Sequence, residues 1–352
     1  MAASFKRWLV GLINKWSSSP DESKVHKALD ELLKDTCNSE SIRGLAIPCD
    51  PESKWVIVSD QHKGGGDRAD DFLPAAPAYL KALDYYYQNG FTLINNGDAE
   101  ELWESNLKKV LSVHHESLLA EKKFYAAGRY YRLFGNHDEE YAVKNATRQT
   151  LDELMGGKLW FYEALLLQFP DQQYFIAHGH QGDIRSDGNP FSKWVVANIW
   201  SPIQRLLKIS INSLSDSLDN ISLHNEIMYR WSAQQQVGMN LVAGHTHQPI
   251  FQSLTHFDQL IIRLEKVTTE EERNHILSEL HRIRNQFPKD YQPRRPEKPT
   301  YYNSGCCCFD DGDITCLEIT ASGVKLVKWK EGRVELAGNE EIQRKNKGRN
   351  RG

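Results

Sequence analysis

The sequence predicts an α/β fold, and three observations predict it. Short apolar runs of strand character recur at residues 55–58, 91–94, 130–134, 174–177 and 241–243. Segments of helical period, notably 76–88 and 102–127, lie between them. Each of the five runs ends in polar or glycine residues that include His, Asp or Asn, so reactive groups should gather at strand ends. With 352 residues, 40% hydrophobic and 26% charged, the chain has an ordinary globular composition and enough length for a substantial core. Wholesale disorder, collagen and coiled coil are excluded on those grounds.

Read in order, residues 1–50 form a helical extension. Phe5, Trp8, Leu9, Leu12, Ile13 and Trp16 recur at spacings of three and four, with Lys6, Arg7 and Lys15 between them, which marks an amphipathic helix over 5–16. That helix has two readings: docking on the protein's own core, or peripheral contact with a membrane surface. Ser17, Ser18, Ser19 and Pro20 break it, and Val25, Ala28, Leu29, Leu32 and Leu33 mark a second helix. Residues 51–335 then read as one enlarged domain with helical insertions at about 190–236 and 265–298. The first insertion carries a lipophilic series from Trp194 through Trp200 to Leu214. The chain returns to strand character at 301–303, 314–319 and 324–329, and residues 336–352 form a basic tail with Arg344, Lys345, Lys347, Arg349 and Arg351.

Charge and cysteine usage narrow the partners. Lys and Arg number 43 against 47 Asp and Glu, a formal net charge of -4 without the global basic footprint of duplex nucleic-acid binders. The six cysteines at 37, 49, 306, 307, 308 and 316 contain no CxxC pair and suit neither a disulfide framework nor a zinc ribbon, which points to a reducing compartment. No stretch reaches the roughly 18 apolar residues of a membrane span, and the run at 8–13 lacks the features of a cleaved leader. A cytoplasmic location, with or without peripheral membrane contact, is the expectation.

The chemistry lies where the strands end. Residues 55–58 lead into Ser59-Asp60-Gln61-His62, 91–94 into Asn96-Gly97-Asp98, and 130–134 into Gly135-Asn136-His137-Asp138. Residues 174–177 lead into His178-Gly179-His180, and 241–243 into Gly244-His245-Thr246-His247. Asp60 and His62, two apart on an extended segment, would project to one side and converge on a metal, and His245 and His247 would do the same. With Asp98 as a carboxylate able to bridge, this is a mixed O/N donor set suited to Mn, Fe, Zn or Co. Glycines 97, 135, 179 and 244 allow the tight turns such a site needs.

These five motifs, in this order, resemble those of the calcineurin-like metallophosphoesterase superfamily over roughly residues 53–330, with the insertions unmatched. The resemblance implies a four-layer α/β/β/α sandwich with a dinuclear metal centre. It implies Asp60, His62 and His247 on one metal, Asn136, His178 and His245 on the other, Asp98 bridging, and His137 facing the phosphate. Two metals, most simply Mn with Fe or Zn as alternatives, would activate a water for in-line attack, with His137 as proton donor and Asp138 orienting its ring. Gly97-Asp98-Ala99-Glu100-Glu101-Leu102-Trp103 and Asp60-Gln61-His62-Lys63-Gly64 are further similar to segments of UDP-2,3-diacylglucosamine pyrophosphatases, which cleave a lipid-linked nucleotide at the membrane surface. His137 stands where those enzymes usually carry arginine, and this chain is longer.

The expected activity is therefore hydrolysis of a phosphate ester or pyrophosphate bond in a phosphorylated small-molecule or lipid-linked substrate. Glu101, His180 and Arg185 are substrate-facing candidates. The rivals are a catalytically silent scaffold, which would lack ligands, and a nuclease, which the acidic balance disfavours. His114 and His115, within a helical segment, are expected to be exposed or structural, and packing is the expected role of the run Cys306 to Cys308.

Overall fold

The computed structural model describes residues 20–38, 41–182 and 218–338. The helix expected over 5–16, Arg185, the apolar series from Trp194 to Leu214 and the basic residues from Arg344 onward lie outside them.

The chain enters through α1 (Glu22–Cys37), whose N-cap Asp21 accepts from the backbone of Ser23 and Lys24, followed by β1 (Gly44–Pro48) and β2 (Lys54–Val58). Next come α2 (Ala76–Gln88), β3 (Thr92–Asn96), α3 (Leu107–Val113), α4 (His115–Ala126) and β4 (Tyr130–Leu133). A short α5 (Glu140–Val143), α6 (Asn145–Met155), β5 (Phe161–Tyr162), β6 (Ala164–Gln168) and β7 (Gln173–Ala177) follow. After the second gap come α7 (Leu218–Gln234), β8 (Met239–Ala243), β9 (Ile250–Phe251), β10 (Leu254–Thr255), α8 (His256–Leu264) and α9 (Glu270–Ile283). The chain closes with β11 (Tyr301–Asn303), β12 (Ile314–Thr320), β13 (Gly323–Trp329) and β14 (Arg333–Gly338).

Among the described residues the strands form two seven-stranded sheets, ordered β1-β6-β7-β8-β11-β9-β10 and β14-β13-β12-β2-β3-β4-β5. Both are mixed: β7, β8 and β11 run parallel in one, and β2, β3, β4 and β5 run parallel in the other. Alternation along each strand sorts the side chains into layers. Trp55 and Ile57 join Ile94, Leu133 and Leu317 against Leu165, Leu167, Ile176 and Val242 in the core between the sheets. Val56 and Val58 point the other way, onto Tyr79, Leu83, Tyr86, Leu118 and Phe124 of the helices on that side. The opposite outer face, with Phe175 and Leu241, is covered by Val25, Leu29 and Leu32 of α1 and Met228 and Trp231 of α7. Helix, sheet, sheet, helix is therefore the layer order, an α/β sandwich.

Two elements differ from expectation. Residues 44–48, inside the stretch read as a helical extension, form an edge strand paired in parallel with β6; Pro48 is tolerated at the end of an edge strand, where a missing N–H costs little. The helix expected over 102–127 is two helices that break at His114. Within the stretch read as a second insertion, α9 packs with α8 on a small core of its own, including Phe257, Leu260, Ile276 and Leu280.

Candidate metal centre

The ends of β2, β3 and β4 in one sheet and of β7 and β8 in the other deliver the five loops to one place. Asp60, His62, Asp98, His245 and His247 all adopt left-handed backbone, with φ of 52°, 48°, 51°, 66° and 55°. The expectation that Asp60 and His62 converge by alternation along an extended segment is thus corrected: a left-handed residue reverses the chain locally, and this turns both side chains inward. Such conformations cost about 1–2 kcal/mol each for a non-glycine residue. Backbone hydrogen bonds between loops hold them: Asp60 N donates to Gly97 O (3.1 Å), His62 N to Asp98 O (3.0 Å) and Cys307 N to Asp60 O (3.1 Å). Glycine is required at the closest approaches. A Cβ on Gly97, itself at φ 87°, would lie 2.6 Å from His178 Nδ1, and one on Gly135 would overlap the Asp98 carboxylate.

Two donor sets result, Asp60 with His62 and His247, and Asp98 with His178 and His245, each with its ligand atoms within 4.8 Å of one another. The carboxylates join the sets. Asp60 Oδ1 lies 3.3 Å from His247 Nε2 and 3.9 Å from both His62 Nε2 and His178 Nε2. Asp98 Oδ2 lies 3.1 Å from His178 Nε2 and 3.9 Å from His62 Nε2. Either carboxylate can therefore reach both sets.

The far nitrogens of the rings have partners of their own, which decides which atom faces inward. His178 Nδ1 is 2.7 Å from Asn96 O, His62 Nδ1 is 2.9 Å from Glu101 Oε2, and His247 Nδ1 is 3.8 Å from Cys308 Sγ. With a proton on Nδ1 in each, Nε2 is the nitrogen left to a metal once the metal displaces the proton that Nε2 shares with the carboxylates. Asp98 Oδ1 accepts from His137 N at 2.8 Å, and the Asp60 carboxylate accepts from His245 N, so Asp98 Oδ2 is left facing the histidines. Asn136 is buried and its Oδ1 has no hydrogen-bond partner. Imidazole nitrogens, carboxylate oxygens and an amide oxygen make the kind of set that takes Mn, Fe, Zn or Co, and the residues fit the group that the motifs imply.

Glu101, expected to face substrate, is turned to two histidines. It is buried, with Oε2 2.9 Å from His62 Nδ1 and 2.7 Å from His137 Nδ1. His137 is further held by stacking on Trp103, with ring centroids 4.1 Å apart and planes at 21°. Asp138, expected to orient that imidazole, instead accepts from the backbone of Gly135 (2.7 Å) and Ala99 (2.9 Å), tying the loop after β4 to the loop after β3. Behind them lies a fully buried ion network that ties Lys63, Glu100 and Asp138 of the motifs to Arg132 and Glu121. Arg132 on β4 bonds Glu100 and lies 3.5 Å from Asp138, while Lys63 bonds Glu121 at 2.6 Å.

Burial and mutual charge set the proton positions. Burial alone would raise the carboxyl of Asp98, but the facing His178 and His137 hold it well below its ordinary range. Glu101 is held at about 2 against burial, chiefly by His137. Burial would lower His137 and His178, yet the carboxylates around them raise both to about 9. His245 goes the other way: burial, then the neighbouring His224 and His178, push it well below 6.5.

His180 is buried beside the centre, its ring 5.4 Å from His178 and 6.5 Å from His245. His224 on α7 packs against His245 at 5.3 Å and meets Gly179 O at 2.9 Å; nothing in the sequence flags it, since it sits inside a helical pattern. Of the two histidines at the α3–α4 break, His114 is buried and meets Asp70 at 2.7 Å, and His115 is exposed.

No protein-family model and no curated protein matches the chain. Solved structures similar to it include an archaeal phosphodiesterase, 14% identical over 78% of this chain and 99% of that one, with a TM-score of 0.34. Two structures of a cold-active protein tyrosine phosphatase, one a point mutant, are each 12% identical. They cover 85% and 84% of this chain and 85% and 81% of theirs, with TM-scores of 0.34 and 0.32. Likeness at this level identifies neither a family nor a reaction. Among the described residues no helix is long and apolar enough to cross a membrane.

Proposed function

We propose that the protein is a metal-dependent phosphoesterase of the calcineurin-like kind, with a dinuclear centre held by Asp60, His62, Asp98, Asn136, His178, His245 and His247. The observation that carries this is the sharing of carboxylates: Asp60 Oδ1 and Asp98 Oδ2 each lie within 3.9 Å of Nε2 atoms from both donor sets. When bound, two cations supply neutralisation of phosphate charge and a water acidified enough to attack phosphorus.

The chain's own groups do the rest. In the metal-free protein the Glu101 and Asp98 carboxylates raise His137 to about 9, against the lowering effect of burial. With Nδ1 turned to Glu101, its Nε2 is the atom that hands a proton to the leaving oxygen. Glu101 sits between His62 and His137 and fixes both rings, so it couples metal binding to proton delivery. Trp103 closes one face of His137 and restricts its rotation. No residue in this arrangement is needed as a covalent nucleophile.

The substrate class is a phosphate ester. Glu101 and Trp103, the two residues that would favour a diester or pyrophosphate, both contact His137, which leaves the linkage to experiment. Hydrolysis of p-nitrophenyl phosphate and bis(p-nitrophenyl) phosphate by chelated protein, before and after manganese is added, tests the reading. Manganese-dependent release of nitrophenol from either ester supports it, and none from both opposes it.

A further inference from the structure

The three consecutive cysteines after the Asn303-Ser304-Gly305 turn do not share one environment. Cys307 enters the outer core with Ile314, Cys316 and Val327, its Sγ 3.9 Å from Thr315 O. Cys306 and Cys308 turn the other way. Their sulfurs and a ring nitrogen of His247 lie within 4.8 Å of one another, and both cysteines are buried.

We propose that Cys306, Cys308 and His247 form a further metal site, for a thiophilic cation such as Zn²⁺, Cd²⁺ or Cu⁺, which competes with the neighbouring centre for His247. The donor type separates the two sites. Two sulfurs and one imidazole are a soft set, whereas the centre is built from carboxylates, imidazoles and an amide. The spacing suits the ion. Tetrahedral coordination with metal–sulfur bonds of about 2.3 Å and metal–nitrogen bonds of about 2.0 Å places sulfur and nitrogen roughly 3.6 Å apart, and Cys308 Sγ lies 3.8 Å from His247 Nδ1. The His247 side chain is 19% exposed, which gives the site an opening to solvent.

The competition follows from the imidazole itself. A neutral ring has one lone-pair nitrogen. Ligation through Nδ1 puts the ring proton on Nε2, the atom 3.3 Å from Asp60 Oδ1, and His247 is lost to the Asp60 and His62 set. A divalent ion replaces the two thiol protons, which leave to solvent, and no electron transfer is involved.

The test is a titration of the chelated full-length protein with Cd²⁺, read by the ultraviolet thiolate-to-cadmium absorption band. It needs no turnover, so its failure is distinct from failure of the phosphoesterase reading. The expected result is a saturable band in the parent protein and in Cys37→Ser, the exposed cysteine, and its loss in Cys306→Ser and in Cys308→Ser, with folding checked by circular dichroism. If Cys308→Ser does not fold, Cys306→Ser decides. No band in the parent protein, or an undiminished band in the folded serine variants, overturns the site. With manganese bound first, Cd²⁺ should release more manganese from the parent than from Cys306→Ser; equal release overturns the competition.

Discussion

Nε2 of His62 and Nε2 of His247 face each other at 3.1 Å, although 185 residues separate them in the chain. The opposite nitrogens are engaged, one with Glu101 and the other with Cys308. Two ring nitrogens aimed at each other this closely are stable only with something positive between or beside them, a shared proton or a coordinated cation. Asp60 Oδ1 completes that corner.

Asp98→Asn tests the joining of the two sets. The amide keeps the shape and removes the charge that faces both His62 and His178. Turnover should be abolished and metal content should fall for both positions, measured by mass spectrometry of the desalted variant. Full occupancy with full activity would show that Asp98 joins nothing.

His137→Ala should keep the metals and slow hydrolysis by about 10²- to 10⁴-fold, the scale of a lost general acid. Glu101→Gln should do something different, because its carboxylate touches His62 as well. Weaker metal binding together with a slower rate is the expected pair of effects. A change in rate alone would confine Glu101 to His137.

The pH dependence has a definite sign. In the folded, chelated protein His137 and His178 are raised to about 9 from 6.5. The folded state then binds more protons than the unfolded one between those values, so the stability from these two groups is present below 6.5 and lost as pH rises through 9. Metal binding must displace the proton of His178, the ligand of the two, so manganese affinity should climb across that window. Isothermal titration and thermal melts at pH 6.5, 7.5, 8.5 and 9.5 would read both trends, and melting temperatures that rise with pH in chelator would contradict the assignment.

Gly97→Ala should destabilise the fold by about 1–3 kcal/mol from its left-handed backbone alone. It should also lower metal affinity, because the new Cβ would crowd His178 Nδ1 at 2.6 Å. Chemical denaturation gives the first quantity and metal titration the second. A neutral substitution would mean that the loop after β3 is looser than its contacts with Asp60 and His178 imply.

The strand ends are legible in the sequence because an apolar run closing in Asp or His, commonplace once, is improbable five times in order. The conformation of those ends is not. Spacing of two suggests an extended pincer, and only the cross-loop bonds from Asp60 N to Gly97 O and from His62 N to Asp98 O impose the left-handed turns. Glu101 looks substrate-facing as a charge beside a ligand motif, and its burial between two rings is a tertiary fact. Arg132 interrupts an apolar run, and β4 points it inward onto Glu100. β1 is hidden by its Gly and Pro, which an edge position accommodates.

Metal content per chain of the purified protein, loaded with manganese and desalted, tests the central claim most directly. The geometry of the two joined donor sets predicts close to two ions per chain, falling together in Asp98→Asn. Retention of no more than a trace, with the protein folded, would contradict a metal centre at these residues.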